Sequence, residues 1–254
     1  IGSFEDLLTD ENAIAKAYAV PANESLIKYP GDLGKFLGDS LHRDGFVALF
    51  GSEKVGKSFW LVDMAYRAMC QRRRTVYFEA GDMGKVQCKR RFIRRCIGCP
   101  AKAGTIRYPI AINREKGEKY ATVSFKDKIF DKVPSEAEAK KIVTETRLKE
   151  TRSHKSYFKI KYMPNYHLSA EKIDAEIKTL QDSGWVPDVV VCDYADILAP
   201  PTGVKDRRDQ INVSWMQLRG IATAHHCLMI TATQADAGSY DCEWLSRGNF
   251  SDDK

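Results

Sequence analysis

Gly51-Ser52-Glu53-Lys54-Val55-Gly56-Lys57-Ser58 directly follows the apolar run Phe46–Phe50, and together these residues indicate the fold class. The eight residues fit the pattern G-x-x-x-x-G-K-S. The apolar run predicts a short strand, and the residues Ser58–Cys70 have the apolar spacing of an amphipathic helix. A strand, a glycine-bounded loop and a helix in this order are the context that the motif requires. A chance match on a surface loop is therefore disfavoured.

The loop predicts a phosphate-binding site. Its glycines let the backbone curl so that successive N–H groups point at phosphate oxygens. The helix that begins near Lys57 adds the positive end of its dipole. We expect Lys57 to reach the β- and γ-phosphates of ATP or a similar nucleotide, and the Ser58 hydroxyl to ligate Mg²⁺. The predicted partner carboxylate is Asp193, because it ends the apolar run Asp188–Cys192 and an acid there holds Mg²⁺ in P-loop ATPases.

The sequence leaves two candidates for the general base. Residue 194 is Tyr, so no glutamate follows Asp193 to polarise a water molecule. A second predicted strand, Thr75–Phe78, is followed by Glu79 and Asp82. If this strand lies beside the P-loop strand, either acid can orient water near the γ-phosphate. A solvated turn acid is the alternative for each of them.

In the rest of the chain, predicted strands alternate with predicted helices, which favours an α/β fold with a mostly parallel sheet. Strands are predicted at Asp188–Cys192 and Cys227–Thr231. Helices are predicted over residues 4–18, 85–95, 170–182 and 211–225.

Basic charge is unevenly distributed along a chain whose net charge is only +6. The segment Gln71–Pro100 contains nine Lys/Arg and only two acids, and it is close in sequence to the predicted active face. A basic insertion over about residues 100–165 carries sixteen Lys/Arg and eight acids. The same residues are equally well explained as a solvated helical surface of the domain, which would include a helix over 135–151. Lysines and aromatic residues alternate between 157 and 166, which suits base stacking, although an amphipathic strand is preferred.

Composition indicates the cellular compartment in which the protein is expected. No apolar run approaches the roughly 18 residues of a membrane helix, and residues 1–21 do not resemble a secretion signal. Seven cysteines favour reduced thiols in a cell interior, so a cytoplasmic protein without a membrane partner is expected. A zinc site with Cys88, Cys96, Cys99 and His154 or His167 is the weaker alternative to free thiols. The pair His225-His226 is interpreted as a helix terminus.

Four segments resemble, in order, the motor domain of DnaB-type replicative helicases, which belong to the RecA-like ATPases. These segments are the P-loop, YFEAGDMGKVQCKRR (77–91), VVVCDYADIL (189–198) and MITATQ (229–234). The resemblance covers roughly residues 45–98 and 168–236. It implies a RecA-like α/β fold, ATP hydrolysis, single-stranded DNA as a partner, and a hexameric ring or filament in bacterial or phage replication.

The resemblance also assigns roles. Asp82, rather than Glu79, takes the place of the family's catalytic glutamate, with a side chain one methylene shorter that weakens the expectation of efficient hydrolysis. Gln234 takes the place of the γ-phosphate sensor. The family continues past this strand, so its last strands and its arginine finger are expected to lie beyond Lys254, with Arg247 only a weak candidate. Residues 1–30 are expected to form a linker helix that contacts a neighbouring subunit, and 31–254 the ATPase domain.

Two other functions stay open. A RecA-like recombination, repair or regulatory ATPase would use the same cleft without unwinding DNA, and both Asp82 and the large insertion favour it. A P-loop kinase or other phosphotransferase is the second alternative, which Gln234 and the acids after the second strand disfavour.

Overall fold

The protein is described from a computed structural model that covers residues 25–81, 83–113, 122–151 and 155–235. The predicted helix over residues 4–18, Asp82, His154 and Arg247 lie outside these ranges.

Five parallel strands form the central sheet, in the order β1-β7-β6-β2-β5. The strands are β1 (Phe46–Gly51), β2 (Thr75–Glu79), β5 (Phe158–Tyr162), β6 (Val189–Asp193) and β7 (Leu228–Gln234). All five residues of β2 and all five of β6 are buried. This explains why β6 reads as a continuous apolar run, since the strands of a parallel sheet are covered on both faces. The predicted mostly parallel sheet is confirmed.

Helices cover both faces of this sheet. The helices are α1 (Gly31–Leu37), α2 (Lys57–Cys70), α3 (Lys85–Ile97), α4 (Glu136–Thr151), α5 (Ala170–Asp182) and α6 (Arg207–Ala224). On one face, α2 and α3 pack against a core that includes Tyr77 and Val191. On the other face, α5 and α6 pack against a core that includes Phe78 and Val190. The alternation of neighbouring residues between the two cores follows from the period of two in a strand.

The strand order corrects one expectation about the active face. Strand β2 pairs with β6 and β5, and both β6 and β7 separate it from β1. Glu79 is therefore the register partner of Asp193 and does not follow a strand next to the P-loop strand.

The stretch predicted as a basic insertion, about residues 100–165, ends in a strand of the central sheet. After α3, the chain forms an antiparallel hairpin of β3 (Gly104–Asn113) and β4 (Thr122–Phe130) and then α4, before it returns to the central sheet as β5. The Phe158 ring stacks on that of Phe92, with centroids 3.8 Å apart. The preferred amphipathic strand is thus confirmed, because the last part of the predicted insertion is the edge strand of the core.

Residues just before the predicted boundary at residue 30 contribute to the core. Leu26, Ile27 and Tyr29 are buried with α2 in the core, and the Leu26 N–H donates to the Leu41 carbonyl oxygen at 2.7 Å. Residues 25–30 therefore belong to the ATPase-fold domain, since a domain includes the segments that fill its core.

Candidate nucleotide-binding site

The P-loop curls between β1 and α2 through two residues with positive φ, Lys54 (61°) and Gly56 (94°). Gly56 occupies the N-cap of α2, and its carbonyl oxygen accepts hydrogen bonds from the Phe59 and Trp60 N–H groups. A Cβ at Gly51 would lie 2.9 Å from Cγ2 of Val55, so this glycine permits the close approach of the loop to its own start. The N-terminus of α2, with its positive dipole end, consequently faces the cleft.

Lys57 lies across the mouth of the loop. Its ammonium group donates to the carbonyl oxygens of Gly51 and Ser52, both at 2.7 Å. These two bonds hold the charge where the loop curls and where phosphate oxygens would be bound.

Ser58 and Asp193 meet although 135 residues separate them in sequence. The Ser58 hydroxyl donates to Oδ1 of Asp193 at 3.1 Å, and the Tyr77 hydroxyl donates to Oδ2 at 2.6 Å. Burial, with the nearby Asp193 carboxylate, raises the pKa of Tyr77 well above its usual range, so this hydroxyl keeps its proton and stays a donor. No role was predicted for Tyr77 from the sequence. Its position two residues before Glu79 on a buried strand was the available signal, because alternate residues share a face.

A cleft of about 410 Å³ opens above these groups. Its lining includes most of the predicted nucleotide-binding residues and four that were not predicted. The predicted ones are Glu53, Lys54, Gly56, Lys57, Ser58, Asp193 and Gln234, and the others are Phe59, Arg91, Tyr194 and Ala232. Gly51 and Ser52 contribute the carbonyl groups that hold Lys57. The Val55 side chain, which does not line the cleft, is 57% exposed.

Glu79 does not line this cleft. Its side chain is fully buried beneath α3, where Oε1 accepts a hydrogen bond from the Met83 N–H at 3.4 Å. Burial and the adjacent Glu79 carboxylate raise the pKa of the Cys88 thiol to about 12. Glu79 is therefore enclosed in the core rather than exposed at the cleft. The competing candidate, Asp82, lies outside the described residues.

Gln234 lies at the end of β7 beside the start of the P-loop, in register with Gly51. The buried Asp196 holds it there, because Oδ2 accepts from the Gln234 N–H at 3.0 Å and from the Thr233 hydroxyl at 2.8 Å. Asp196 follows Asp193 by three residues. The end of β6 and the residues just after it therefore contact both Ser58 and the end of β7. Asp196 belongs to the segment VVVCDYADIL (189–198), but no role was predicted for it from the sequence.

Arg91 was counted among the basic residues of α3 without a role of its own. Its guanidinium group lies 4.9 Å from the centroid of the Phe59 ring, at the edge of the cleft.

The donor set suits Mg²⁺. A serine hydroxyl and an aspartate oxygen, 3.1 Å apart, are oxygen ligands of the kind that Mg²⁺ prefers, and it commonly completes its shell with water and phosphate oxygens.

The zinc site with Cys88, Cys96 and Cys99 does not form. Cys88 and Cys96 are eight residues apart on α3, which separates them by about 12 Å along the axis. One tetrahedral ion cannot bridge that distance. Among the described residues, no three His, Cys, Asp or Glu side chains are grouped to hold a metal ion.

His225 and the lysines of β5, for which the sequence left a functional alternative open, contact other side chains of the protein. His225 is the C-cap of α6, as predicted, and its Nε2 lies 2.6 Å from Oδ1 of Asp174. Lys161 pairs with Glu176, and the Lys159 ammonium lies 5.2 Å from the Trp185 ring centroid. The aromatic and basic residues of β5 therefore make contacts within the protein.

Solved structures with this fold include a replicative helicase and a separate ATPase domain. The first is described as a DnaB-like replicative helicase and its interactions with primase (TM-score 0.65, 14% identity, 98% of this chain and 54% of that chain). The second is described as an ATPase domain (TM-score 0.65, 13% identity, 96% of this chain and 78% of that chain). The chain thus spans about half the length of the first structure. The predicted RecA-like fold, and the resemblance to the DnaB-type motor at the level of fold, are confirmed.

Comparisons with protein-family models and with curated protein sequences gave no match. No helix within the described ranges combines the length and apolar character of a membrane span.

Proposed function

We propose that the protein is an ATP-hydrolysing motor of the DnaB-like helicase type that acts on single-stranded DNA as a ring oligomer. The observation that carries the proposal is the meeting of Lys57, Ser58 and Asp193 in one cleft at the carboxyl ends of β1 and β6. The fold shared with a DnaB-like replicative helicase and with a second ATPase domain supports the choice among P-loop enzymes.

In this proposal the P-loop amides and Lys57 bind the phosphates, and Ser58 with Asp193 would hold Mg²⁺. A bound Mg²⁺ would supply positive charge that neutralises the phosphates. Tyr77 fixes the Asp193 carboxylate by donating to the oxygen that Ser58 does not contact. Transition-state charge is therefore met by groups that are already oriented, which is the main source of catalysis in phosphoryl transfer.

Asp82 is proposed as the residue that orients the attacking water. It follows β2 by three residues, and β2 lies next to the Asp193 strand. Glu79 is buried away from the cleft, which favours Asp82. Gln234 is proposed to sense the γ-phosphate, since its side chain reaches the cleft while Asp196 anchors its backbone.

Phosphate release from ATP, measured with and without single-stranded DNA, tests the proposal. Wild type is expected to hydrolyse ATP faster when DNA is present, and Lys57→Ala is expected to remove both the basal and the stimulated rate. A basal rate that DNA does not change, together with no DNA binding at low salt, would reject the motor.

A RecA-like regulatory ATPase without unwinding activity is the second candidate. The short acid at position 82 and the hairpin with α4 between α3 and β5 favour it. A forked DNA substrate separates the two functions: a motor displaces the strand in an ATP-dependent reaction, whereas a regulatory ATPase leaves the fork intact while it hydrolyses ATP.

A further inference from the structure

A second concavity lies beside the nucleotide cleft, and we call it the ribbon groove. Its walls are helix α3 and one face of the β3–β4 hairpin, and Phe59 and Val62 of α2 contribute to its floor. Its volume is about 1020 Å³, at the top of the range typical of sites for a single small ligand. Phe59 and Arg91 line both the groove and the nucleotide cleft, so the two are continuous.

The charge of the groove has one sign. Helix α3 contains six Lys/Arg and no acid, and four of its arginines line the groove together with Lys128 of β4. Arg95 is neutralised by Asp63, with Nε 2.7 Å from Oδ1. Arg90, Arg91, Arg94 and Lys128 make no ion pair with any residue in the described ranges. No carboxylate is found among the described residues that line the groove.

The hairpin adds apolar and aromatic surface to this charge. Ile106 and Lys128 are register partners, so their side chains share one face of the ribbon with Tyr108 and Phe130. Tyr108 is 37% exposed, and the Lys128 ammonium lies 4.7 Å from the Phe130 ring centroid. Cations interleaved with exposed aromatic rings suit a polyanion that also carries flat π-surfaces.

We propose that the ribbon groove is a binding site for single-stranded nucleic acid. Phosphates pair with Arg90, Arg94 and Lys128, and bases stack on Tyr108. The inference deepens the proposed function, because it assigns the DNA of that proposal a surface continuous with the nucleotide cleft. An acidic polypeptide would satisfy the arginines but would gain nothing comparable from the exposed tyrosine ring, which favours nucleic acid.

Fluorescence anisotropy of a short labelled oligodeoxythymidylate, at low salt with Mg²⁺ and without ATP, tests the groove directly. The double variant Arg90→Ala/Arg94→Ala is expected to bind more weakly, with a salt slope smaller in magnitude by about 1.4 because two phosphate contacts are lost. Tyr108→Ala is expected to weaken binding about fivefold or more through lost stacking. The control Lys172→Ala/Arg219→Ala removes two exposed cations from α5 and α6 and should bind like wild type.

Three results would overturn the groove. Wild type that does not bind the oligonucleotide at low salt is one, and equal binding by all variants is another. The third is displacement by polyglutamate combined with no effect of Tyr108→Ala, because that pair of results indicates a site for acidic polypeptides. Hydrolysis is measured separately. DNA-stimulated hydrolysis with unaltered binding by the groove variants would reject the groove alone, and groove-dependent binding without hydrolysis would reject the motor alone.

Discussion

The Tyr77 hydroxyl and the Asp193 carboxylate form the most enclosed polar contact of the site, at 2.6 Å on the α2 face of the sheet. Asp193 is 1% exposed, so its orientation depends on the few groups that reach it. One oxygen accepts from Ser58 and the other from Tyr77. Groups that orient a metal ligand in this way commonly change metal affinity when they are removed.

Tyr77→Phe is therefore expected to raise the Mg²⁺ concentration for half-maximal hydrolysis by about tenfold. The free energy of unfolding should fall by about 1.5–3 kcal/mol, as for the loss of a hydrogen bond to a charged group. Magnesium titration of phosphate release and urea unfolding measure the two effects. Tyr29→Phe is the matched control, since it removes a hydroxyl that donates to Asp63 at 2.9 Å and does not line the cleft. An equal change in the magnesium requirement of both variants would contradict a positioning role for Tyr77.

Substitutions at position 82 test the identity of the base. Asp82→Asn is expected to slow hydrolysis by about 100-fold or more while ATP binding is retained, because the water loses its acceptor. Asp82→Glu restores the missing methylene and is expected to raise kcat above wild type. Steady-state hydrolysis combined with nucleotide titration measures both variants. Wild-type kcat in Asp82→Asn would exclude this residue as the base.

At the level of residues, contiguous motifs were predictable and contacts across the sheet were not. The P-loop pattern identified Lys57 and Ser58, because both belong to one short contiguous motif. Tyr77, Asp196 and Arg91 depend on which strands are neighbours and on which side chains share a face. The order β1-β7-β6-β2 brings Tyr77 to Asp193, and strand order was not part of the sequence pattern.

Among the elements, α2 and α3 are connected by one carboxylate. Asp63 of α2 accepts hydrogen bonds from Arg67 at 2.8 Å, Arg95 of α3 at 2.7 Å and Tyr29 at 2.9 Å. Burial opposes ionisation here, but the two arginines outweigh it and hold the pKa of Asp63 below its usual value. Because α3 forms one wall of the ribbon groove, this carboxylate also fixes the groove to the P-loop helix.

A carboxyl group whose pKa is lower in the folded state adds stability above its unfolded pKa, and that stability is lost as the pH falls through the folded value. Asp63→Asn should therefore lower the free energy of unfolding by about 1–2 kcal/mol at neutral pH, and by less and less below about pH 4. Urea unfolding as a function of pH measures this difference. Asp32→Asn is the control, because the Asp32 side chain is 96% exposed and its pair with Lys35 contributes little. A deficit for Asp63→Asn that persists unchanged at pH 3 would contradict this role.

The predictability of elements depended on how fully they are buried. Helix α5 matches its predicted bounds, because Ser169 caps its N-terminus and its apolar spacing follows one face. The β3–β4 hairpin was not predicted, although Ile106, Tyr108 and Ile110 recur at every second position as in a strand. These side chains are partly exposed rather than packed in the core, and the many charges around them favoured a solvated helical surface. Strand β5 was assigned to the insertion because edge strands carry more charge than central ones.

For the whole molecule, the proposed ring places neighbouring copies side by side. A neighbouring copy would supply the arginine finger, because that role is assigned to none of the described residues. Sedimentation velocity is expected to show a larger species with ATP, Mg²⁺ and single-stranded DNA than with none of them. Lys57→Ala should stay in the smaller form under the same conditions. A single species of monomer mass whose hydrolysis is nevertheless stimulated by DNA would contradict the ring.

The central claim is that the cleft above Lys57, Ser58 and Asp193 binds ATP with Mg²⁺. A titration of wild type with a fluorescent ATP analogue, repeated with Mg²⁺ removed and with Lys57→Ala, tests it most directly. Lys35→Ala, which removes an exposed lysine of α1, is the control and should bind like wild type. Wild type is expected to show saturable, magnesium-dependent binding, and Lys57→Ala is expected to lose it. Binding of equal strength in Lys57→Ala, or no binding by wild type, would contradict it.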